Sequence, residues 1–156
     1  MKLHTLSILL AFASGTLQAQ TIEIKDAWVR VAVPGQSATG AFMKITAREN
    51  SKLLSVSSPL AGVAEVHEMK MEGDSMKRRA VPGGLDLPAG KTVALTPGGY
   101  HVMLMDLKAA LPKDSTLSLT LVFKDANGIE SKVELKVPVA AVAPAGSGSH
   151  DAAHKH

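Results

Sequence analysis

The chain has 156 residues, no cysteine, and 17 basic against 14 acidic side chains. This length suits one domain with a sizeable core. The near balance of charge gives no reason to expect a nucleic-acid partner. The absence of cysteine excludes disulfide bridges and any metal centre that needs a thiolate.

The N-terminal segment has the layout of a secretory signal peptide. Lys2 precedes an apolar run from Leu6 to Phe12, and small or polar residues follow up to Ala19. The apolar run is too short for a membrane anchor. We therefore expect residues 1–19 to be removed on export, with cleavage after Ala19, and the mature protein to work in the periplasm without spanning the membrane.

The next part of the chain reads as short strands separated by turns. Apolar and polar residues alternate, and no long segment shows a convincing helical period. Strands are predicted at 22–33, 41–47, 53–58, 63–71, 76–81, 92–96, 100–107, 115–123 and 129–139. Strands at this spacing predict an antiparallel all-β sandwich or small Greek-key barrel over residues 20–139.

Two of the predicted strands carry an imidazole and thioethers at alternate positions. His67 is followed by Met69 and Met71, and His101 is followed by Met103. Side chains at alternate positions of a strand lie on one face. Methionine also packs well in irregular cores, so packing is the simpler explanation of either run taken alone.

The distribution of methionine favours a metal site over packing. Five methionines lie between residues 69 and 105. Thioethers are soft ligands that select Cu(I), whereas imidazole accepts Cu(I), Cu(II) and zinc. If the two strands lie side by side, their imidazoles and thioethers converge on one Cu(I) ion. Met43 and Met105 are instead assigned to the core.

After Val139 the sequence changes to a tail rich in Pro, Ala, Gly and Ser. Such a composition does not bury enough apolar area to offset the entropy of ordering, so we expect residues 140–156 to be flexible. The tail carries His150, His154 and His156. Neutral imidazoles this close in sequence can chelate a divalent ion such as Cu(II), and the alternative is a solvated tail or an added linker.

Residues 22–139 resemble the PCuAC-type periplasmic copper chaperones. The likeness is carried by DAWVR (26–30), SSPLAGVAEVHEM (57–69), MKRRAV (76–81) and LDLPAGKTVALTPGGYHVMLMDLK (85–108). The resemblance implies a cupredoxin-like Greek-key β-sandwich. It also implies a carrier that holds Cu(I) on a solvent-exposed rim and passes it to a copper-accepting protein of respiratory cytochrome oxidase assembly.

The resemblance implies His67, an intervening methionine, and the pair His101 and Met103 as copper ligands. The intervening methionine does not carry over, because its expected position holds Arg78. A guanidinium is permanently charged and has no lone pair for a metal. We therefore expect Arg78 to repel the ion and to weaken its binding.

Three outcomes are open for the position of the missing methionine. Met76 is favoured, because alternation places it on the same strand face as position 78. Met69 or Met71 could substitute from the preceding strand, or the site could have three ligands.

The chain lacks the sequence features of an enzyme. It has no cysteine nucleophile, no paired-carboxylate motif and no phosphate-binding loop. A copper carrier is therefore the favoured function. The alternative is a periplasmic buffering or sequestering protein that uses the histidine tail for Cu(II) without specific delivery.

Overall fold

A computed structural model describes residues 21–144, and its regular secondary structure is entirely β. This confirms the all-β prediction. Within this range there is therefore no helix that could cross a membrane. The predicted signal peptide, 1–19, and the tail histidines, His150, His154 and His156, lie outside the described residues.

Ten strands form the fold. They are β1 (Ile22–Arg30), β2 (Ala38–Ala47), β3 (Ser51–Ser57), β4 (Ala61–Glu72), β5 (Ser75–Ala80), β6 (Leu85–Leu87), β7 (Thr92–Leu95), β8 (His101–Leu107), β9 (Thr116–Asp125) and β10 (Glu130–Ala140). Sequence reasoning missed β6, which is three residues long and was read as loop because Pro and Gly flank it. Leu85 and Leu87 pair with β3 and are buried.

One continuous sheet folds back on itself to make two layers. The strand order is β5-β4-β8-β2-β1-β10-β9-β3-β6, and β7 pairs with the later part of β2. The first layer contains β5, β4, β8, β2, β7 and β1, and the second contains β10, β9, β3 and β6. The layers join where β1 and β10 run parallel, with Val29 opposite Val139 and Arg30 opposite Ala140. The prediction of a purely antiparallel sheet is therefore wrong at this pair, which supplies β1 with hydrogen-bonding partners where it would otherwise present an open edge.

The core lies between the two layers. Alternate residues of facing strands point inward, as expected for strands with one buried face. Residues that are at most 1% exposed come from both layers: Val29, Ala41, Ile45, Leu104, Leu119, Leu121 and Phe123. Met43 is also buried, as predicted, whereas Met105 is only half-buried on the outer face, opposite Val63.

A β-bulge in β1 determines which of its side chains lie on the outer face of the first layer. Asp26 adopts a φ of 55°, at the place where the register between β1 and β2 shifts. The extra residue reverses the alternation of the strand. Ile24 packs on the core before the bulge and Val29 after it, so Trp28 and Arg30 lie on the outer face.

Candidate metal centre

The two predicted His-bearing strands are neighbours in the first layer. β4 and β8 run antiparallel, and their register places His67 directly opposite His101. Directly opposite residues share a face of the sheet and lie close together. The two ring centroids are 6.0 Å apart. The backbone alone therefore brings both imidazoles to one point on the outer face.

Two aromatic side chains extend the outer face beyond the His67–His101 pair. Trp28 pairs with Phe42 at 4.8 Å between ring centroids, and Phe42 lies 6.5 Å from the His101 ring. The guanidinium of Arg30 covers Phe42, with Cζ 5.4 Å from the ring centroid. Trp28, Phe42 and Arg30 thus form an aromatic wall beside His101. This wall explains why His101 is only 6% exposed although it lies on an outer face.

Gly40 makes room for the wall. It lies opposite Met103 in the β2–β8 pair. A Cβ atom at Gly40 would lie 2.8 Å from the Phe42 ring, which real Cβ atoms do not tolerate. The missing side chain therefore leaves room for the Phe42 ring over Gly40.

His101 presents a free ring nitrogen. Its Nδ1 donates a hydrogen bond to the backbone oxygen of Gly99 at 3.0 Å, so the lone pair remains on Nε2. Burial lowers the pKa of His101 below its usual value of 6.5, and the charge of Arg78 lowers it further, against the opposing effect of the Gly99 bond. A neutral imidazole with a fixed tautomer is the form that binds metals.

His67 also presents a free nitrogen. Its Nε2 donates to the carboxylate of Glu65 at 2.9 Å, and its Nδ1 is buried without a hydrogen-bond partner within residues 21–144. A buried polar atom without a partner is costly, and a metal ion at Nδ1 would satisfy it. Glu68, the other nearby carboxylate, pairs instead with Arg79 at 2.8 Å.

Two thioethers lie beside His101. Met69 and Met103 line a cavity of about 330 Å³ together with His101 and Arg78. Both methionines are half-buried. His67 does not itself line this cavity, but its ring lies next to that of His101.

No group of three or more His, Asp or Glu side chains in the described part of the chain is placed to hold a metal ion. The soft donor atoms that line the cavity with His101 are the thioether sulfurs of Met69 and Met103.

Met76, the favoured replacement for the missing ligand, lies elsewhere. A two-residue turn at Gly73, with a φ of 61°, sets the register of the β4–β5 hairpin so that Met76 pairs with Met71. Both are more than half exposed, at 52% and 56%. Met71 is four positions beyond His67, which is about 13 Å along a strand. The structure thus brings Met69 and Met103 to the histidines and leaves Met71 and Met76 beyond them.

Sequence reasoning did not select Phe42 and Arg30 as part of this site. No local signal marks them, because the bulge at Asp26 determines which face Arg30 takes. Trp28 packs against Phe42 on the outer face.

Comparison with known proteins gives consistent matches. Residues 22–139 match a family model described as "Putative lipoprotein LpqE-like". The "Putative lipoprotein Lxx21020" of Leifsonia xyli subsp. xyli is 32% identical over 119 residues, which are 76% of this chain and 72% of that protein.

Solved structures share the fold. The Cu(I)-bound solution structure of DR1885 from Deinococcus radiodurans is 28% identical with a TM-score of 0.61, covering 82% of this chain and 83% of that one. The copper-bound PCuAC domain from PmoF2 is 24% identical with a TM-score of 0.62, covering 80% of this chain and 97% of that domain. The predicted cupredoxin-like fold and the resemblance to PCuAC domains are confirmed.

Proposed function

The chain belongs to the LpqE-like family and has the fold of PCuAC domains, and on this basis we propose that it carries Cu(I) in the periplasm. The recipient in this proposal is a copper-accepting protein of respiratory cytochrome oxidase assembly. The main observation in support is the cross-strand pair of His67 and His101, each with a free ring nitrogen. Export is supported by the lipoprotein names of the family and of the relative in Leifsonia xyli.

The proposed ligands are His67 Nδ1, His101 Nε2 and the sulfurs of Met69 and Met103. Imidazole and thioether are neutral donors, and two thioethers favour Cu(I) over harder ions. Met69 replaces Met76 in this set, because Met69 shares a cavity with His101 and Met103 whereas Met76 is exposed at the end of the hairpin.

The surroundings of the site suit a carrier better than a catalyst. The aromatic wall closes one side of His101, while Met69 and Arg78 lie toward the exposed edge strand β5. An incoming ligand from an acceptor can reach the ion from this open side. Neutral ligands also hold the ion without thiolate bonds, so exchange to a stronger site is favourable.

The thioether assignment predicts different effects for two conservative substitutions. Met69→Leu keeps an apolar side chain of similar volume but removes the sulfur, so Cu(I) affinity should fall about tenfold or more, since loss of a ligand costs at least about 1.4 kcal/mol. Met76→Leu, the matched control on the same hairpin, should leave the affinity unchanged. Anaerobic competition titration with a Cu(I) chelator measures both. A loss of affinity in Met76→Leu but not in Met69→Leu would make Met76 the ligand in place of Met69.

The hydrogen bond from His67 to Glu65 predicts a positioning role for this carboxylate. Glu65→Gln retains the shape but weakens acceptance from Nε2–H, so His67 loses its fixed tautomer and Cu(I) affinity should fall about 10-fold. Glu68→Gln is the control, since Glu68 bonds Arg79 instead. NMR of the His67 ring in the metal-free protein should show mixed tautomers only in Glu65→Gln. Equal losses in both variants would contradict the role.

Delivery is tested separately from binding. When Cu(I)-loaded protein is mixed with a metal-free copper domain of cytochrome oxidase, copper should move to that domain, and removal of residues 145–156 should not slow the transfer. A buffering protein would instead retain its copper, and binding of Cu(II) by His150, His154 and His156 would then dominate its behaviour. Copper detected on each partner after separation distinguishes the two functions.

A further inference from the structure

The cavity beside His101 carries two arginines without acidic partners. Arg30 and Arg78 both line it, and no Asp or Glu side chain does. Neither arginine takes part in an ion pair within residues 21–144. Both arginines are exposed side chains, and they line one cavity without a counter-charge from the described residues.

The other basic residues of β5 are neutralised. Lys77 pairs with Glu72 at 3.4 Å, and Arg79 pairs with Glu68 at 2.8 Å. Both lie on the face of the hairpin opposite to Arg78, because side chains alternate along the strand. Arg78 is thus the one basic residue of this strand that is directed to the cavity and left unpaired.

Arg30 is held in place by its neighbours. Its Cζ lies 5.4 Å from the ring centroid of Phe42 and 6.0 Å from that of Trp28. Contacts of a guanidinium with aromatic faces restrict its motion but leave its N–H groups free. Arg30 and Arg78 line the same cavity as His101.

We propose that this cavity binds a small carboxylate anion, held between Arg30 and Arg78 beside the ring of His101. A guanidinium presents its N–H donors as a planar fork that matches the two oxygens of a carboxylate. The volume, about 330 Å³, is at the lower end for small-molecule sites. The anion also supplies the counter-charge that residues 21–144 do not place there.

Copper and the anion are expected to assist each other. A cation at His67 and His101 is repelled by the two arginines, and a bound carboxylate offsets this repulsion. Each ligand then raises the affinity for the other by the same factor. This coupling rests on the proposed copper function, whereas anion binding to the metal-free protein stands on the arginines alone.

Succinate binding to the metal-free protein tests the site. Trp28, the one tryptophan of the chain, lies next to Arg30 and reports binding by fluorescence at constant ionic strength. We expect a saturable change, weakened about tenfold or more in Arg78→Gln and in Arg30→Gln, since each removes a charged hydrogen-bonding partner. Lys77→Gln, with the same change of charge on the same hairpin, should bind succinate as the wild type does.

Three results would overturn the proposal: no saturable response in the wild type, equal weakening by Lys77→Gln, or phosphate binding more tightly than succinate. In a second arm, succinate should raise the Cu(I) affinity of the wild type but not of Arg78→Gln. Succinate binding without any Cu(I) binding would contradict the copper function and leave the anion site standing. Cu(I) binding without a succinate response in the metal-free protein would overturn the anion site and leave the copper function standing.

Discussion

The antiparallel register between β4 and β8 is the constraint on which the candidate site depends. A slip by one residue would send His67 to the other face of the sheet. The slip is opposed by the core, because Val66 pairs with Val102 on the inner face of the same two strands, and Val102 is fully buried. The apolar pairs that stabilise the fold therefore also fix the distance between the two imidazoles. A metal site on such strands needs no loop to assemble it.

The two sides of the His67–His101 pair differ. On one side the bulge of β1 turns Trp28 and Arg30 outward, and with Phe42 they pack as a wall beside His101. On the other side the β4–β5 hairpin leaves Met69 half-buried next to an exposed strand. Burial by the wall lowers the pKa of His101 and the carbonyl of Gly99 orients its ring, while the hairpin strand β5 is exposed. The proposed carrier function is compatible with this arrangement.

Much of the fold and part of the candidate site could be predicted from the sequence, since both depend on local alternation. The all-β class and the shared face of His101 and Met103 follow from period two. The parallel β1–β10 pair and the faces of Phe42 and Arg30 do not, because they depend on long-range pairing and on the bulge. Alternation predicts the strand face of Met76, whereas its position along the hairpin follows from the turn at Gly73.

In the proposed centre, one Cu(I) ion bridges the ring nitrogens of His67 and His101 on two neighbouring strands. Nitrogen-15 NMR of the histidine rings, before and after one equivalent of Cu(I) under anaerobic conditions, is the decisive measurement. We expect the signals of His67 Nδ1 and His101 Nε2 to shift together, while the nitrogens bonded to Glu65 and Gly99 keep their protons. Unchanged signals from these two rings, with shifts only at His150, His154 and His156, would contradict it.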